Sequence, residues 1–234
     1  MKASTILVLA GAMGLAACEN AAEPEADVNN SAVQIGTDEA EAPEGPEAPA
    51  DAPETPAARA DNAITCNWPA QQGDTAQDLE ALFGDDARIQ MVAGGEGTEI
   101  PGVVLWPDDP ARQIEVIFAD AARTQVTNVR VFNGSRWEVG GLSTGDTIAQ
   151  ATAANGKPFV LLGFEWDYGG AVFDLKGGAL ADLDGCRAMM SFGPSAETKL
   201  PNGLVGDIEL MSDDDRMPVD GVTIWELGLV FPEE

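Results

Sequence analysis

The sequence predicts an α+β fold, in which a mostly antiparallel sheet is combined with two short helices. Three observations lead to this prediction. Two short helical patterns each end at a glycine, Gly84 and Gly156; apolar runs of strand length follow each of them; and turn residues separate those runs. Because the two halves share this order, the sequence also suggests two diverged helix-plus-hairpin units.

The first helical pattern starts near residue 74. Asp74 or Thr75 is placed to cap the helix, and Asp78 falls in its first turn, where a negative charge favours the positive end of the helix dipole. Gly84 follows the last apolar residue and marks the end.

Strands are predicted where β-branched and aromatic residues are concentrated. In the first half Asn133-Gly134 lies between two such runs, which is typical of a two-residue β-hairpin. The predicted strands outside the second motif are residues 88–92, 102–106, 113–118, 126–132, 136–139, 187–192, 204–211 and 222–231.

The second helical pattern lies in residues 142–156. Ser143 or Thr144 is the expected cap, with Asp146 in the first turn. The pair 155–156, Asn-Gly, supplies a left-handed stop, and Pro158 prevents the helix from continuing.

An aromatic run follows this helix and is the most distinctive part of the sequence. As a strand it would place Phe164, Trp166 and Tyr168 on one face. Glu165 and Asp167 would then lie on the other face, with their carboxylates about 6–7 Å apart from the strand rise. The two glycines that follow accept a tight turn.

These runs resemble a known set of sequences. Asn-Gly-Lys-Pro-Phe at 155–159 and Gly-Phe-Glu-Trp-Asp-Tyr-Gly-Gly at 163–170 resemble a motif of uncharacterised bacterial secreted proteins and lipoproteins. Asp-Leu…Phe-Gly at 78–84 and the Trp-Pro-Asp-Asp-Pro turn at 106–110 extend the resemblance over most of residues 74–180. It implies a fold and a compartment but no activity. In architecture, the paired units are similar to β-lactamase-inhibitor proteins and small outer-membrane assembly lipoproteins.

The N-terminus indicates export. A single Lys2, an apolar run at 6–12 and Leu-Ala-Ala-Cys at 15–18 form a short secretory signal. Its ending resembles the lipobox of bacterial lipoproteins, which implies cleavage before Cys18 and lipid on its thiol. We therefore expect a signal peptide at 1–17, the lipidated Cys18 with an acidic linker at 18–62, and a globular domain at 63–234.

The linker is predicted from its composition. After Cys18 it contains six prolines, twelve acidic residues and no aromatic residue, so it lacks the apolar area needed to offset the entropy of ordering. Prolines and like charges favour an extended tether.

Cys66 and Cys186 remain once Cys18 is assigned to lipid. In an oxidising compartment we expect them to form a disulfide that closes a loop of more than a hundred residues. Two unpaired buried thiols are the alternative.

Composition restricts the function. The chain has no histidine and a net charge of −28, and residues 63–234 alone hold ten basic and twenty-eight acidic side chains, a net charge of −18. Nucleic acid and anionic headgroups are repelled by such a field, whereas basic protein surfaces and divalent ions are not. The usual general base and the commonest transition-metal ligand are missing.

Three functions remain open. The first is a lipid-anchored, periplasm-facing module of the cell envelope that binds a protein partner without catalysis, with no cofactor, metal ligand or catalytic residue assigned. Its candidate binding residues are Glu165, Trp166, Asp167 and Tyr168. The second is a hydrolase of an envelope glycan that uses Glu165 and Asp167, with Trp166 or Tyr168 stacked on a sugar. The third is a divalent-cation binder at residues 213–215 and Asp220.

Overall fold

A computed structural model describes residues 62–218 and 220–232. The predictions made for the signal peptide, Cys18 and the linker up to residue 61 lie outside the described residues. In chain order, the helices and strands are α1 (Ala76–Phe83), β1 (Ala87–Ala93), β2 (Glu99–Leu105), β3 (Ile114–Phe118), β4 (Val126–Phe132), β5 (Glu138–Val139), β6 (Leu142–Ser143), α2 (Ile148–Asn155), β7 (Val160–Leu162), β8 (Val172–Asp174), β9 (Arg187–Pro194), β10 (Glu209–Met211) and β11 (Val222–Val230).

The described strands form one large antiparallel sheet and two small ones, which confirms the predicted α+β class. The large sheet has the order β1-β2-β3-β4-β11-β9; β10-β7-β8 form a second sheet, and β5 pairs with β6. Since β11 and β9 come from the second half and join the edge of β4, the two halves share one central sheet.

The first helix has the predicted ends. Thr75 is its N-cap and forms a capping box with Asp78: the Thr75 hydroxyl accepts from the Asp78 N–H at 3.2 Å, and the Asp78 carboxylate accepts from the Thr75 N–H at 2.9 Å. Gly84 follows at φ 57°.

The second helix starts later than predicted. Its N-cap is Thr147, whose capping box is completed by Gln150, so Ser143 and Thr144 as caps were wrong. Ser143 instead ends β6 and donates its N–H to the Asp146 carboxylate at 2.8 Å, which closes the turn before the helix. The predicted stop is confirmed, because Gly156 has φ 74°.

The predicted hairpin at Asn133-Gly134 was wrong. Both edges of β4 are already paired, with β3 on one side and β11 on the other, so the chain that leaves β4 has no edge to return to. The Asn133 N–H donates to the carbonyl of Trp225 at 3.0 Å, and the chain continues to the short strand β5, which pairs with β6.

Of the predicted strand at 204–211, only the last three residues form a strand, which is β10. Residues 202–204 form a turn of 3₁₀-helix, and Gly206 at φ 110° interrupts any extended run. The strand bonds of β10 begin at Glu209, opposite Leu162 of β7.

The main core lies on one face of the large sheet, where alternate strand residues such as Val116, Val129 and Leu227 are fully buried. The predicted disulfide is present between Cys66 and Cys186, with the two Cα atoms 5.7 Å apart, and it attaches the segment before α1 to the start of β9. No helix in the described ranges is both long and apolar enough to cross a bilayer.

Candidate binding cleft

The opposite face of the large sheet carries a charged row across β3, β4 and β11. Glu115 of β3 is the cross-strand partner of Arg130 of β4, and the Arg130 Nε and Nη2 atoms lie 2.8 and 2.7 Å from the Glu115 Oε2 atom. Arg130 Nη1 lies 3.4 Å from Glu226 Oε1 on β11. The arginine is therefore held between two carboxylates.

This row is largely withdrawn from water. The side chains of Arg130, Glu115 and Glu226 are 15%, 14% and 12% exposed. At such burial the cost of desolvation is offset only if hydrogen bonds satisfy the charged groups, and the hydroxyl of Ser191 supplies one more by donating to Glu226 Oε2 at 3.0 Å. Gly228 stands opposite Arg130, where any Cβ would collide with the carbonyl oxygen of Val129.

Arg130 also attaches the β1–β2 connection to this face. Its Nη2 donates to the carbonyl oxygen of Ala93, the last residue of β1. The connection itself is closed by Gly94 N–H donating to Thr98 O at 2.7 Å and by the Thr98 hydroxyl donating to Gly95 O at 2.6 Å. Residues 94–96 are thereby brought to the edge of the charged row.

The aromatic run at 163–166 is not a strand, so that part of the prediction was wrong, whereas the predicted turn at 167–170 is confirmed, since β7 and β8 on either side of it pair antiparallel. Strand β7 ends at Leu162, and the backbone then takes positive φ at Glu165 (58°) and Tyr168 (60°), which an extended strand does not allow. Phe164 is 1% exposed, whereas Trp166 and Tyr168 are 60% and 61% exposed. The three rings therefore do not share a face.

Glycine is required in this turn. Gly170 has φ 77°, and a Cβ there would collide with the carbonyl of Phe192. Its N–H donates to Leu162 O at 3.0 Å and its carbonyl accepts from Phe192 N–H at 2.9 Å, so the turn is attached to both β7 and β9. The backbone fixes the outward position of Trp166 and Tyr168.

The turn meets the β1–β2 connection. A Cβ added at Gly95 would lie 2.9 Å from the Tyr168 hydroxyl oxygen, which shows how closely the tyrosine ring approaches that backbone. Between them lies a cleft of about 510 Å³. Its described lining is Ala93, Gly94, Gly95, Glu96, Arg130, Phe132, Trp166, Asp167, Tyr168, Gly169, Ala171, Ser191, Trp225 and Glu226.

Aromatic rings and carboxylates dominate this lining. Phe132 and Trp225 are stacked, with ring centroids 6.1 Å apart and planes inclined by 18°. The Arg130 guanidinium lies 5.1 Å from the centroid of Phe132 on the same strand. Trp225 reaches the cleft because it is the extra residue of a bulge between Ile224 and Glu226.

Three of the four predicted binding residues line the cleft. Trp166, Asp167 and Tyr168 do so, while Glu165 is exposed and is outside the described lining. The expectation that Glu165 and Asp167 face the same way from one strand was wrong, since the segment is a turn with positive φ at Glu165.

Sequence reasoning missed the charged floor. Glu115, Arg130 and Glu226 each stand between two apolar residues of a strand, and that shared feature was the available signal. A charged residue in such a place is buried only when it is paired.

The acidic run near residue 214 does not assemble a metal site. Asp214 accepts hydrogen bonds from the backbone N–H and the Nε of Arg216, both at 2.9 Å, and these bonds lower the Asp214 pKa from 3.8 to about 2. In the described ranges no three acidic or cysteine side chains are grouped closely enough to hold a metal ion.

A comparison of the chain with known protein families, curated proteins and solved structures finds no match in any of the three.

Proposed function

We propose that this chain is a lipid-anchored protein of the cell envelope whose domain binds a protein partner at the cleft. The observation that carries the proposal is the exposure of Trp166 and Tyr168 on a turn whose backbone is hydrogen-bonded to β7 and β9. Tryptophan and tyrosine are enriched among the residues that dominate protein interfaces, and a backbone already held by hydrogen bonds loses little entropy on binding.

The floor of the cleft favours binding over chemistry. The carboxylates of the charged row, Glu115 and Glu226, each accept a hydrogen bond from Arg130, and Glu226 accepts a second from Ser191, so action as a general base would have to break these bonds. The contacts with Arg130 hold β3, β4 and β11 together beneath the aromatic rings.

The membrane part of the proposal comes from the Leu-Ala-Ala-Cys run at 15–18. Several acyl chains on Cys18 would anchor the chain far more firmly than a single myristoyl group. Mass spectrometry of the protein from its native host tests this: the mature chain should begin at Cys18 and carry the mass of the lipid. A chain that begins elsewhere or carries no lipid would overturn the anchor.

Binding at the cleft is tested by photo-crosslinking of the full-length protein in envelope preparations. The double variant Trp166→Ala/Tyr168→Ala should lose the crosslinked partner. Phe173→Ala is the matched control, because Phe173 is 66% exposed but belongs to β8 and is outside the described lining. A partner captured equally by the wild type, the double variant and Phe173→Ala would contradict the proposal, as would the capture of no partner by the wild type.

A hydrolase of an envelope glycan is the second candidate. It is favoured by one observation, the presence of Asp167 beside Trp166 and Tyr168 in the same cleft, since aromatic rings stack on sugars and carboxylates catalyse their hydrolysis. Glycan turnover that is lost in Asp167→Asn but kept in Asp213→Asn would establish this candidate and overturn the proposal of a non-catalytic module.

A further inference from the structure

We infer that the cleft receives a cationic side chain, arginine or lysine, from a basic segment of the partner. This inference rests on the proposed binding function and adds the chemical class of the ligand.

The aromatic rings of the cleft can contact a cation. The described lining contains four aromatic side chains, and those of Trp166 and Tyr168 are more than half exposed, which leaves ring surface open to a ligand. The face of an aromatic ring is negative and attracts ammonium and guanidinium groups, tryptophan most strongly. An arginine side chain also stacks its flat guanidinium on such a ring.

The charged side chains of the cleft also favour a cation. Among the described lining residues, Glu96, Asp167 and Glu226 are acidic and Arg130 is basic. Glu96 and Asp167 are both exposed, on the two segments that form the rim. A cation that enters therefore meets an excess of negative charge, and the net charge of −28 on the whole chain attracts it from a distance.

The hydrogen bonds of Arg130 favour a cationic ligand over an anionic one. Its guanidinium donates to Glu115, to Glu226 and to the carbonyl of Ala93, so each of its three nitrogens already has an acceptor inside the protein. An anionic ligand would have to compete with two carboxylates for these donors. A cation makes no such demand, because the two glutamates already outweigh the arginine charge.

The experiment compares two peptides that differ only in charge. Acetyl-Gly-Arg-Gly-amide and the same peptide with citrulline in place of arginine are titrated into the full-length protein, with the indole N–H signals of the tryptophans followed by NMR. Citrulline has the shape of arginine without its charge. We expect the arginine peptide to bind at least about tenfold more tightly, since each factor of ten corresponds to about 1.4 kcal/mol, and to shift the indole signal of Trp166.

Variants locate the site. Trp166→Ala should weaken the arginine peptide about tenfold, and Asp167→Asn several-fold. Phe173→Ala and Asp213→Asn, which remove an aromatic ring and an acid outside the described lining, should leave it unchanged. Binding should also fall as added salt shortens the Debye length from about 10 Å to about 3 Å. Equal binding of the citrulline peptide, or full affinity in Trp166→Ala, would overturn the inference.

Failure of the inference and failure of the proposed function give different results. A partner that crosslinks through Trp166 and Tyr168 while neither peptide binds would leave the binding module in place and remove the cationic ligand. A glycan that binds in a Trp166-dependent manner without displacing the arginine peptide would show that the peptide lies outside the cleft. That result would likewise contradict the cationic ligand.

Discussion

The molecule contains two groups of aromatic side chains with opposite environments. In the first, Trp68, Phe83, Trp106 and Trp137 lie one against the next, with successive ring centroids 5.5, 5.3 and 5.4 Å apart. The three tryptophans of this group are buried. In the second, the rings of the cleft have surface open to solvent.

The buried group is closed by further contacts. The Arg112 guanidinium lies 4.5 Å from the centroid of the Trp106 ring, and the Trp137 indole N–H donates to the carbonyl of Arg112 at 2.7 Å. Phe83 and Trp106, in the middle of the series, each contact a ring on either side, as aromatic side chains of a core do.

The difference between the groups comes from the backbone. Trp106 directly follows β2 and Trp137 directly precedes β5, and both rings face the core although Trp106 itself has φ 50°. Trp166 and Tyr168 instead lie on the turn between β7 and β8, which ends in two glycines where a Cβ would make a close contact. Open rings on an irregular, tightly bonded turn point to binding, and closed rings beside regular strands point to stability.

The largest expected effect is on the side of stability. Replacement of both Cys66 and Cys186 by serine should lower the free energy of unfolding by about 4–5 kcal/mol in the chain-entropy model, because the cysteines are 120 residues apart. Denaturant unfolding under non-reducing conditions measures it. Treatment of the wild type with reductant should reproduce the loss, and a change under about 1 kcal/mol would show that the bridge adds little.

Alanine at one tryptophan of each group tests the comparison directly. Trp106→Ala removes a buried ring and should cost about 3–5 kcal/mol. Trp166→Ala removes an exposed ring and should change the free energy of unfolding by less than about 0.5 kcal/mol. Both are measured by denaturant unfolding. Equal losses would mean that the cleft rings are structural and would break the comparison.

The turn itself should be sensitive to a single methyl group. Gly170→Ala places a Cβ against the Phe192 carbonyl at a backbone of φ 77°, and we expect a loss of about 1–3 kcal/mol. Gly177→Ala is the matched control, since Gly177 also has positive φ, 64°, but a Cβ there meets no atom within 4 Å. If both variants lose the same stability, the close approach to Phe192 is not what fixes the turn.

The smallest effect concerns an acid away from the cleft. The hydrogen bonds from Arg216 lower the Asp214 pKa from 3.8 to about 2, so the folded state favours the ionised form. This stabilisation is present above pH 3.8 and is lost as the pH falls toward 2. The melting-temperature difference between wild type and Asp214→Asn should therefore shrink over that interval, and a constant difference would contradict the assignment.

Local signals predicted local structure well. Thr75 and Asp78 begin a helix by their own contacts, and Gly156 ends one by its own φ, so three or four residues contain the information. Thr147 and Gln150 contain the same local signal, a capping box, whereas the sequence analysis predicts the cap at Ser143 or Thr144.

The cleft depended on information that is not local. Glu226 is 96 residues from Arg130, and the two meet only because β11 pairs with β4. The turn at Glu165 and Tyr168 needed non-glycine residues at positive φ, which an alternating pattern of apolar and acidic residues cannot indicate.

The disulfide has a mechanical consequence. Because Cys66 is bonded to Cys186, a pull on the chain before Cys66 passes through the bridge to the residue that precedes β9. Arg187 at the start of β9 is paired with Val230 at the end of β11, so tension between Cys66 and the end of β11 separates these two strands one hydrogen bond at a time, while α1 and Trp68 lie inside the covalent loop and outside that path.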